Sequence, residues 1–373
     1  MSVFLMVLGA FLIYLCQKWL YITQWNKGLT ADFSYLEKAV NEGETAHMKE
    51  VLVNRKRLPL FALQVKFAVS PFFRFDHMEN TVTTDRNYRN DIYVLNGFEQ
   101  VTRTLPFTCT RRGFFSVTSL ELISTDLFHT QKLASRLPQN RSLYVYPRPI
   151  GSSSFEPLFN RLSGIMQTRL YNQEDPFELR GIREYEPGDP MRRINWKVSA
   201  HREDWMVNQY QYTSNQNVCI FLDLSSDSNW KYERLYEESI RLAAAFVREC
   251  ISRGIPVSLR TNATDIINGT VISEPAGSGA YHAETLLQCL ARIDESAEPA
   301  DISDILHDEM ESGTENTTYV LISCSQTASK LSEYSGLDKS GSGLLRVVPL
   351  HPDMEMKDGP DNILSVRWEV PYA

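Results

Sequence analysis

The chain has 373 residues, 43% of them hydrophobic and 23% charged, and a formal net charge of −8. That length provides for two or three domains with ordinary buried cores. The acidic balance argues against a general nucleic-acid binder, which needs a basic face to neutralise phosphates.

At the amino terminus, Val3 to Cys16 carries no charged residue, and a second apolar patch, Trp19 to Ile22, follows Gln17-Lys18. Together they reach about twenty residues, the length that crosses a hydrocarbon layer. Lys18 can snorkel, and Trp19, Tyr21 and Trp25 suit a membrane interface. A cleaved signal peptide needs a basic start and a small-residue cleavage site, and this segment has neither. Residues 1–25 are therefore predicted to be a single transmembrane anchor. No Lys or Arg precedes the helix, while Lys18, Lys27 and Lys38 follow it. The positive-inside rule then places the bulk of this single-pass protein on the cytoplasmic side of the cell membrane. Cys16, Cys109, Cys219, Cys250, Cys289 and Cys324 form no CxxC pair. They read as reduced, mostly buried thiols, in agreement with that orientation.

Residues 46–150 alternate apolar and polar side chains in short runs, such as Leu63 to Val69, Asp91 to Leu95, Gln100 to Leu105 and Phe114 to Thr118. Asn96-Gly97 and Arg112-Gly113 supply turn chemistry between them. The spacing predicts a β-sandwich-like domain. Tyr144 to Pro149 then leads into Gly151-Ser-Ser-Ser154, a linker signal. Residues 151–212 are read as that linker, and residues 213–373 as an α/β domain. In the latter, Asn217 to Asp223 is an apolar run ending in an acid, the pattern of a strand buried on both faces. Leu235 to Arg253 has a helical apolar period closed by Gly254, and Ile255 to Leu259 is the next strand. Helices over Ala283 to Ile293 and Ile302 to Met310 and strands over Thr318 to Ile322 and Leu344 to Leu350 complete a doubly wound α/β pattern. Ligands of such sheets sit beyond the carboxyl ends of the strands, which here is the edge bearing Asp223.

The most unusual stretch is Glu178 to Ala200, ELRGIREYEPGDPMRRINWKVSA, with a tight turn over Pro187-Gly188-Asp189-Pro190. From Glu178 to Asp204 there are six Lys or Arg and six Asp or Glu residues. An anion site would be lopsided, so the balance favours a self-satisfied polar knot over a phosphate site. Trp196 is available to stack on a guanidinium. The string from Arg183 to Lys197 resembles the hallmark of the domain of unknown function 58 family, R-x-Y-x-x-G-D-x-x-R-x-I-x-W-x-x-S/A. Arg183, Tyr185, Gly188, Asp189, Arg192, Ile194 and Trp196 occupy its fixed positions, and Ser199 and Ala200 fit its end.

That resemblance implies a bacterial protein with a von Willebrand factor A-like domain, working with a MoxR-type AAA+ ATPase in complex assembly or envelope-related processes. It also implies a test for a divalent cation, because such domains often bind Mg²⁺ through D-x-S-x-S, a threonine and a distant aspartate. Asp223 and Ser225 match the first loop, where Asp227 replaces the last serine. Ala280 stands where a threonine is expected, and Ser323-Cys324-Ser325 carries no aspartate. Asp223, Ser225 and Asp227 remain as ligands for a weakly held, hydrated Mg²⁺, or as a strand-end acid that caps a helix.

Three functions compete on this sequence. The resemblance implies a membrane-anchored protein-interaction scaffold. An outward-facing, metal-dependent adhesion receptor with a degenerate site is the alternative. A hydrolase is the least supported, because no GxxxxGK[ST], GxSxG or HExxH motif occurs and the seven histidines lack ligand spacing.

Overall fold

The structure, a computed structural model, describes residues 2–75, 81–83, 87–172, 174–187, 189, 191, 194–212, 216–227, 233–312, 316–338 and 343–372. It divides into two compact units, Met1–Arg148 and Pro149–Ala373.

The first unit opens with helix α1 (Ser2–Gln24). The segment Val3–Gln24 is long and apolar enough to cross a membrane, a property that signal sequences share. Ten strands follow. They are β1 (Leu29–Tyr35), β2 (Ala39–Asn41), β3 (Thr45–Asn54), β4 (Leu60–Val69) and β5 (Phe73–Arg74). Then come β6 (Thr81–Thr83), β7 (Asn87–Leu95), β8 (Gln100–Cys109), β9 (Gly113–Thr125) and β10 (Lys132–Tyr146). One sheet has the order β1-β3-β8-β5 and the other β2-β10-β9-β4-β7-β6. Strands β1 and β2 precede residue 46, where the sequence pattern becomes conspicuous. Burial alternates strictly along β3, so Ala46, Met48 and Leu52 enter the core while their neighbours are half-buried. An aromatic cluster of Phe33, Phe67, Phe73, Phe107 and Phe115 fills the interior.

The last turns of α1 belong to this core. Tyr21 and Trp25 are buried, and the Tyr21 hydroxyl donates to the Pro59 carbonyl at 2.9 Å. Tyr21 and Trp25, expected at a membrane interface, are thus core side chains, whereas Trp19 stays exposed. Tyr14, Gln17, Tyr21 and Trp25 recur at helical spacing and form the stripe that meets the β unit.

The interior also holds charge. The Asp91 carboxylate takes Arg89 Nε at 2.6 Å and Arg103 Nη1 at 2.9 Å. Beside it, Tyr93 donates to Glu50, whose carboxyl is pushed up mainly by burial. A buried guanidinium is tolerated only while paired, so Asp91→Ala strands Arg89. We expect that substitution to destabilise the detergent-solubilised chain by about 3–5 kcal/mol in chemical denaturation.

In the second unit, helix α2 (Ser152–Asn172) replaces the expected start of a linker. Its Phe155, Leu158, Phe159, Leu162, Ile165 and Met166 are buried at helical spacing. A ribbon pairs β11 (Glu174–Glu184) with β12 (Met206–Tyr212), and the short helix α3 (Trp196–Arg202) lies between them in sequence. The remaining elements alternate: β13 (Asn217–Asp223), α4 (Glu233–Ser252), β14 (Val257–Thr264), β15 (Val271–Gly277) and α5 (Ala280–Ala291). They end with α6 (Ile302–Ser312), β16 (Thr317–Ser323), α7 (Ala328–Ser335), β17 (Leu344–Leu350) and β18 (Ile363–Glu369).

Those strands form one sheet in the order β15-β14-β13-β16-β17-β18, parallel except for β15 at the edge. Alternate side chains of β13 point to opposite faces. Cys219 and Phe221 join Ile302, Leu306, Tyr319 and Tyr334 in a core under α6 and α7. The other face is covered by α4, onto which α2 packs through Phe155 and Phe246, 4.9 Å between ring centroids. All six cysteines are free, four of them buried, Cys324 half-buried and Cys16 exposed.

Candidate functional sites

The signature residues Gly188 and Arg192, with Pro190 and Arg193, lie outside the described residues. The others assemble on the β11–β12 ribbon. Arg183 and Glu184 pair with Val207 and Met206 in register, and Ile194 bridges to Val207 from a separate segment. Arg183 grips Asp189 with two parallel bonds, Nη1 to Oδ2 at 2.7 Å and Nη2 to Oδ1 at 2.6 Å. Asp189 also accepts from the backbone N–H of Glu186 at 2.9 Å, and its own N–H donates to the Glu186 carbonyl. This closes the turn.

Polar side chains do similar work at the next bend. Asn195 caps α3, accepting from Val198 N at 3.2 Å, and its amide donates to Asn208 Oδ1 at 2.8 Å. Ser199 Oγ accepts from Met206 N at 2.8 Å. With Ile194, Met206 and Val207 buried, Trp196 and Trp205 are left on the outside beside half-buried Tyr185. Trp205 meets Tyr185 at 5.5 Å and Trp196 at 6.3 Å between centroids. Trp196 and Trp205 remain 63% and 51% exposed. Contiguous exposed aromatics of this kind mark interaction surfaces more often than solvent-facing decoration.

The second site lies at the carboxyl edge of the sheet. Strands β13 and β16 are adjacent there, and the chain winds outward from them in opposite directions, so the edge is a topological switch point. Asp223 is buried at the end of β13. Its Oδ1 accepts from Ser225 N at 3.0 Å, Ser225 Oγ at 2.6 Å and Asn262 Nδ2 at 2.8 Å. Its Oδ2 accepts from Ser323 Oγ at 2.8 Å. Lys330, in the first turn of α7, places Nζ 2.6 Å from Ser225 Oγ and 3.7 Å from Asp223 Oδ2.

Asp227 points elsewhere. It accepts from Ser325 Oγ at 2.5 Å, Gln326 N at 2.6 Å and Thr327 Oγ1 at 2.9 Å. Burial raises its pKa, but these bonds and the Lys330 charge outweigh burial and hold it below the ordinary 3.8.

Asp223, Ser225 and Asp227 therefore do not fit a divalent cation. Asp223 and Ser225 already face the Lys330 ammonium, and Asp227 is engaged by the β16–α7 loop. Among the described residues no cluster of three or more His, Cys, Asp or Glu side chains forms a metal-ligating group. Sequence reasoning missed the roles of Asn262, Ser323, Ser325, Thr327 and Lys330, because each acts on a residue 39 to 105 positions away. Gln326 staples the same loop to residues 355–357, with Nε2 to Glu355 O at 3.0 Å and Lys357 N to Oε1 at 2.6 Å.

Residues 181–329 match the family described as Protein of unknown function DUF58, a description that assigns no activity. The chain is 24% identical over 119 residues to the uncharacterized protein YeaD of Bacillus subtilis (strain 168). That match covers 32% of this chain and 28% of the relative, so it spans under a third of the relative's length. Among solved structures, AvmM, which catalyzes macrocyclization in alchivemycin A biosynthesis, overlaps 34% of this chain and 93% of its own, at 12% identity and a TM-score of 0.24. The CARDB domain of a Pyrococcus furiosus protein in complex with di-metal ions overlaps 31% of this chain and 93% of its own, at 14% identity and a TM-score of 0.21.

Two measurements probe the sheet edge. Lys330→Met removes the internal cation beside Asp223 and should cost about 3 kcal/mol. It should also create a Mg²⁺-dependent rise in Tm that the wild type lacks; an equal rise in both would contradict the reading of Lys330. For Asp227, the folded pKa is depressed, so its stabilisation is present above 3.8 and is lost as pH falls through the lower folded value. Asp227→Asn should accordingly flatten the stability profile below pH 3.8, measured by acid titration of Tm.

Proposed function

We propose that this protein is a membrane-anchored interaction scaffold that docks a MoxR-type AAA+ ATPase on the aromatic face of the signature ribbon. Helix α1 is the anchor, and the bulk of the chain faces the cytoplasm. The observation that carries the reading is the pair Trp196 and Trp205, both exposed on a ribbon whose Arg183, Asp189, Asn195 and Ser199 side chains are bonded within the fold. Large, rigid aromatics of this type supply most of the binding energy at protein interfaces. Burial of Tyr21 and Trp25 in the β unit favours a retained helix over a cleaved one, because cleavage would take two core side chains away.

The second unit is read as von Willebrand factor A-like. A parallel sheet with an antiparallel edge strand and helices on both faces supports this, as does an acidic loop at the switch point. In that reading Lys330 replaces the ion, so partner capture does not run through a shared metal. Among the described residues, Asp223, Ser225, Asp227 and Lys330 at the sheet edge are each engaged in bonds within the fold, which supports an interaction role over an enzymatic one.

The test is co-purification from solubilised membranes. Wild-type protein should retain an AAA+ ATPase. Trp196→Ala with Trp205→Ala should release it, at about 2 kcal/mol of binding per tryptophan, with circular dichroism unchanged. Repeated recovery of no AAA+ ATPase by the wild type would overturn the proposal.

A further inference from the structure

The end of the β unit at which α1 enters carries exposed apolar side chains, Phe98, Leu127 and Phe128. Three connections meet there: the β3–β4 loop, the β7–β8 turn and the β9–β10 loop. The β9–β10 loop is built rigidly. Asp126 is buried at its base and accepts from Thr130 N at 2.7 Å, Thr130 Oγ1 at 2.7 Å and Gln131 N at 2.9 Å. The loop then turns through His129, held at φ +54°, and presents Leu127 and Phe128 outward, 49% and 58% exposed.

This tip touches α1 in the middle of its apolar stretch. The Phe128 and Tyr14 rings lie 5.9 Å apart, the Tyr14 hydroxyl donates to Thr130 Oγ1 at 3.3 Å, and Gln17 Nε2 donates to Asp126 Oδ2 at 3.3 Å. Tyr14 is about 15 Å along the helix from Gln24, whereas the hydrocarbon layer is about 30 Å thick. A bilayer crossed by Val3–Gln24 therefore reaches the level of Phe128.

The β7–β8 turn repeats the arrangement. Phe98 is exposed at φ +58°, a left-handed conformation that a bulky side chain rarely adopts. Gly97 before it lies so close to the β3–β4 loop that a Cβ would come within 2.6 Å of the Arg57 carbonyl oxygen. Around these tips the exposed side chains Lys27, Arg55 and Arg57 are cationic, and Lys56 Nζ reaches the Trp25 carbonyl at 2.5 Å.

We infer that this end of the β unit is a membrane-seating surface, with Leu127 and Phe128 inserted beside α1 among the acyl chains. Apolar side chains leave water there, while Lys27, Arg55 and Arg57, nearer the carboxyl end of α1, meet lipid phosphates. The surface is continuous with the anchor through the Tyr14–Phe128 contact, which selects a lipid bilayer as its occupant. The inference rests on α1 being the anchor.

The experiment uses the full chain with Cys16→Ser, reconstituted into phosphatidylcholine and phosphatidylglycerol vesicles. The fluorophore NBD is placed singly at Leu8→Cys, Phe128→Cys or Lys38→Cys, with residual labelling read from Cys16→Ser alone. Lys38 lies in the turn after β1, at the opposite end of the sheet from α1. Doxyl-labelled phosphatidylcholine should quench positions 8 and 128 several-fold more than position 38, with blue-shifted emission at both. Quenching at 8 with water-like, unquenched emission at 128 would overturn the seating surface and leave the anchor standing. Absence of quenching at both 8 and 128 would overturn the anchor as well.

Discussion

Asp223 stands where the parallel sheet changes direction, and its carboxylate ties together two neighbouring strands and a helix. Asn262 comes from β14, Ser323 from β16 and Lys330 from α7. A buried carboxylate is tolerated only with its oxygens satisfied and a cation within reach. The strand pairing supplies the first requirement, because Ser323 is the register partner of Asp223 across β13 and β16. Lys330 supplies the second. The crevice that open α/β sheets usually offer to a ligand is thereby cross-linked by the chain's own side chains. Asp227 extends the same logic one layer outward, through Ser325, Gln326 and Thr327 to residues 355–357.

The signature ribbon solves a related problem in the opposite sense. Arg183 and Asp189 neutralise each other, Asn195 and Ser199 satisfy backbone groups at a sharp bend, and Ile194 enters the core. Arg183 and Asp189 contribute one base and one acid to the even balance of this segment. What the arrangement leaves unused is aromatic, and it faces solvent. One site has closed its polar groups around a charge; the other has closed them beneath an apolar face.

How far the residues announced this depends on the range of the forces involved. Strands β13 and β17 end where their apolar runs end, because burial on two faces selects apolar side chains between turn signals, with Arg346 in β17 the buried exception. Helix α2 was hidden by Gly151-Ser-Ser-Ser154, which reads as linker, although six apolar residues from Phe155 to Met166 are buried at helical spacing, on both sides of Pro157 inside the helix. Strand β1 alternates plainly, with Leu29, Ala31 and Phe33 buried, but it is short and sits beside a much stronger apolar signal. Asp223 and Ser225 were legible as a loop motif. Lys330 was not, because nothing local marks a lysine in a helical first turn as the partner of an acid 107 residues earlier; only the sheet's winding brings them together.

The flank of α1 carries one more consequence, for the order of events during synthesis. The helix leaves the ribosome before the strands, yet the Thr130 that its Tyr14 binds lies 116 residues later, and Pro59, which receives the Tyr21 hydroxyl, 38 residues later. Closing so long a loop is entropically slow, and contacts of this separation govern folding rates. Until those residues have been made, Tyr14 and Tyr21 lack their partners. Burial of the helix flank and completion of the β core are thus coupled in time: a segment made before the strands is buried only with them.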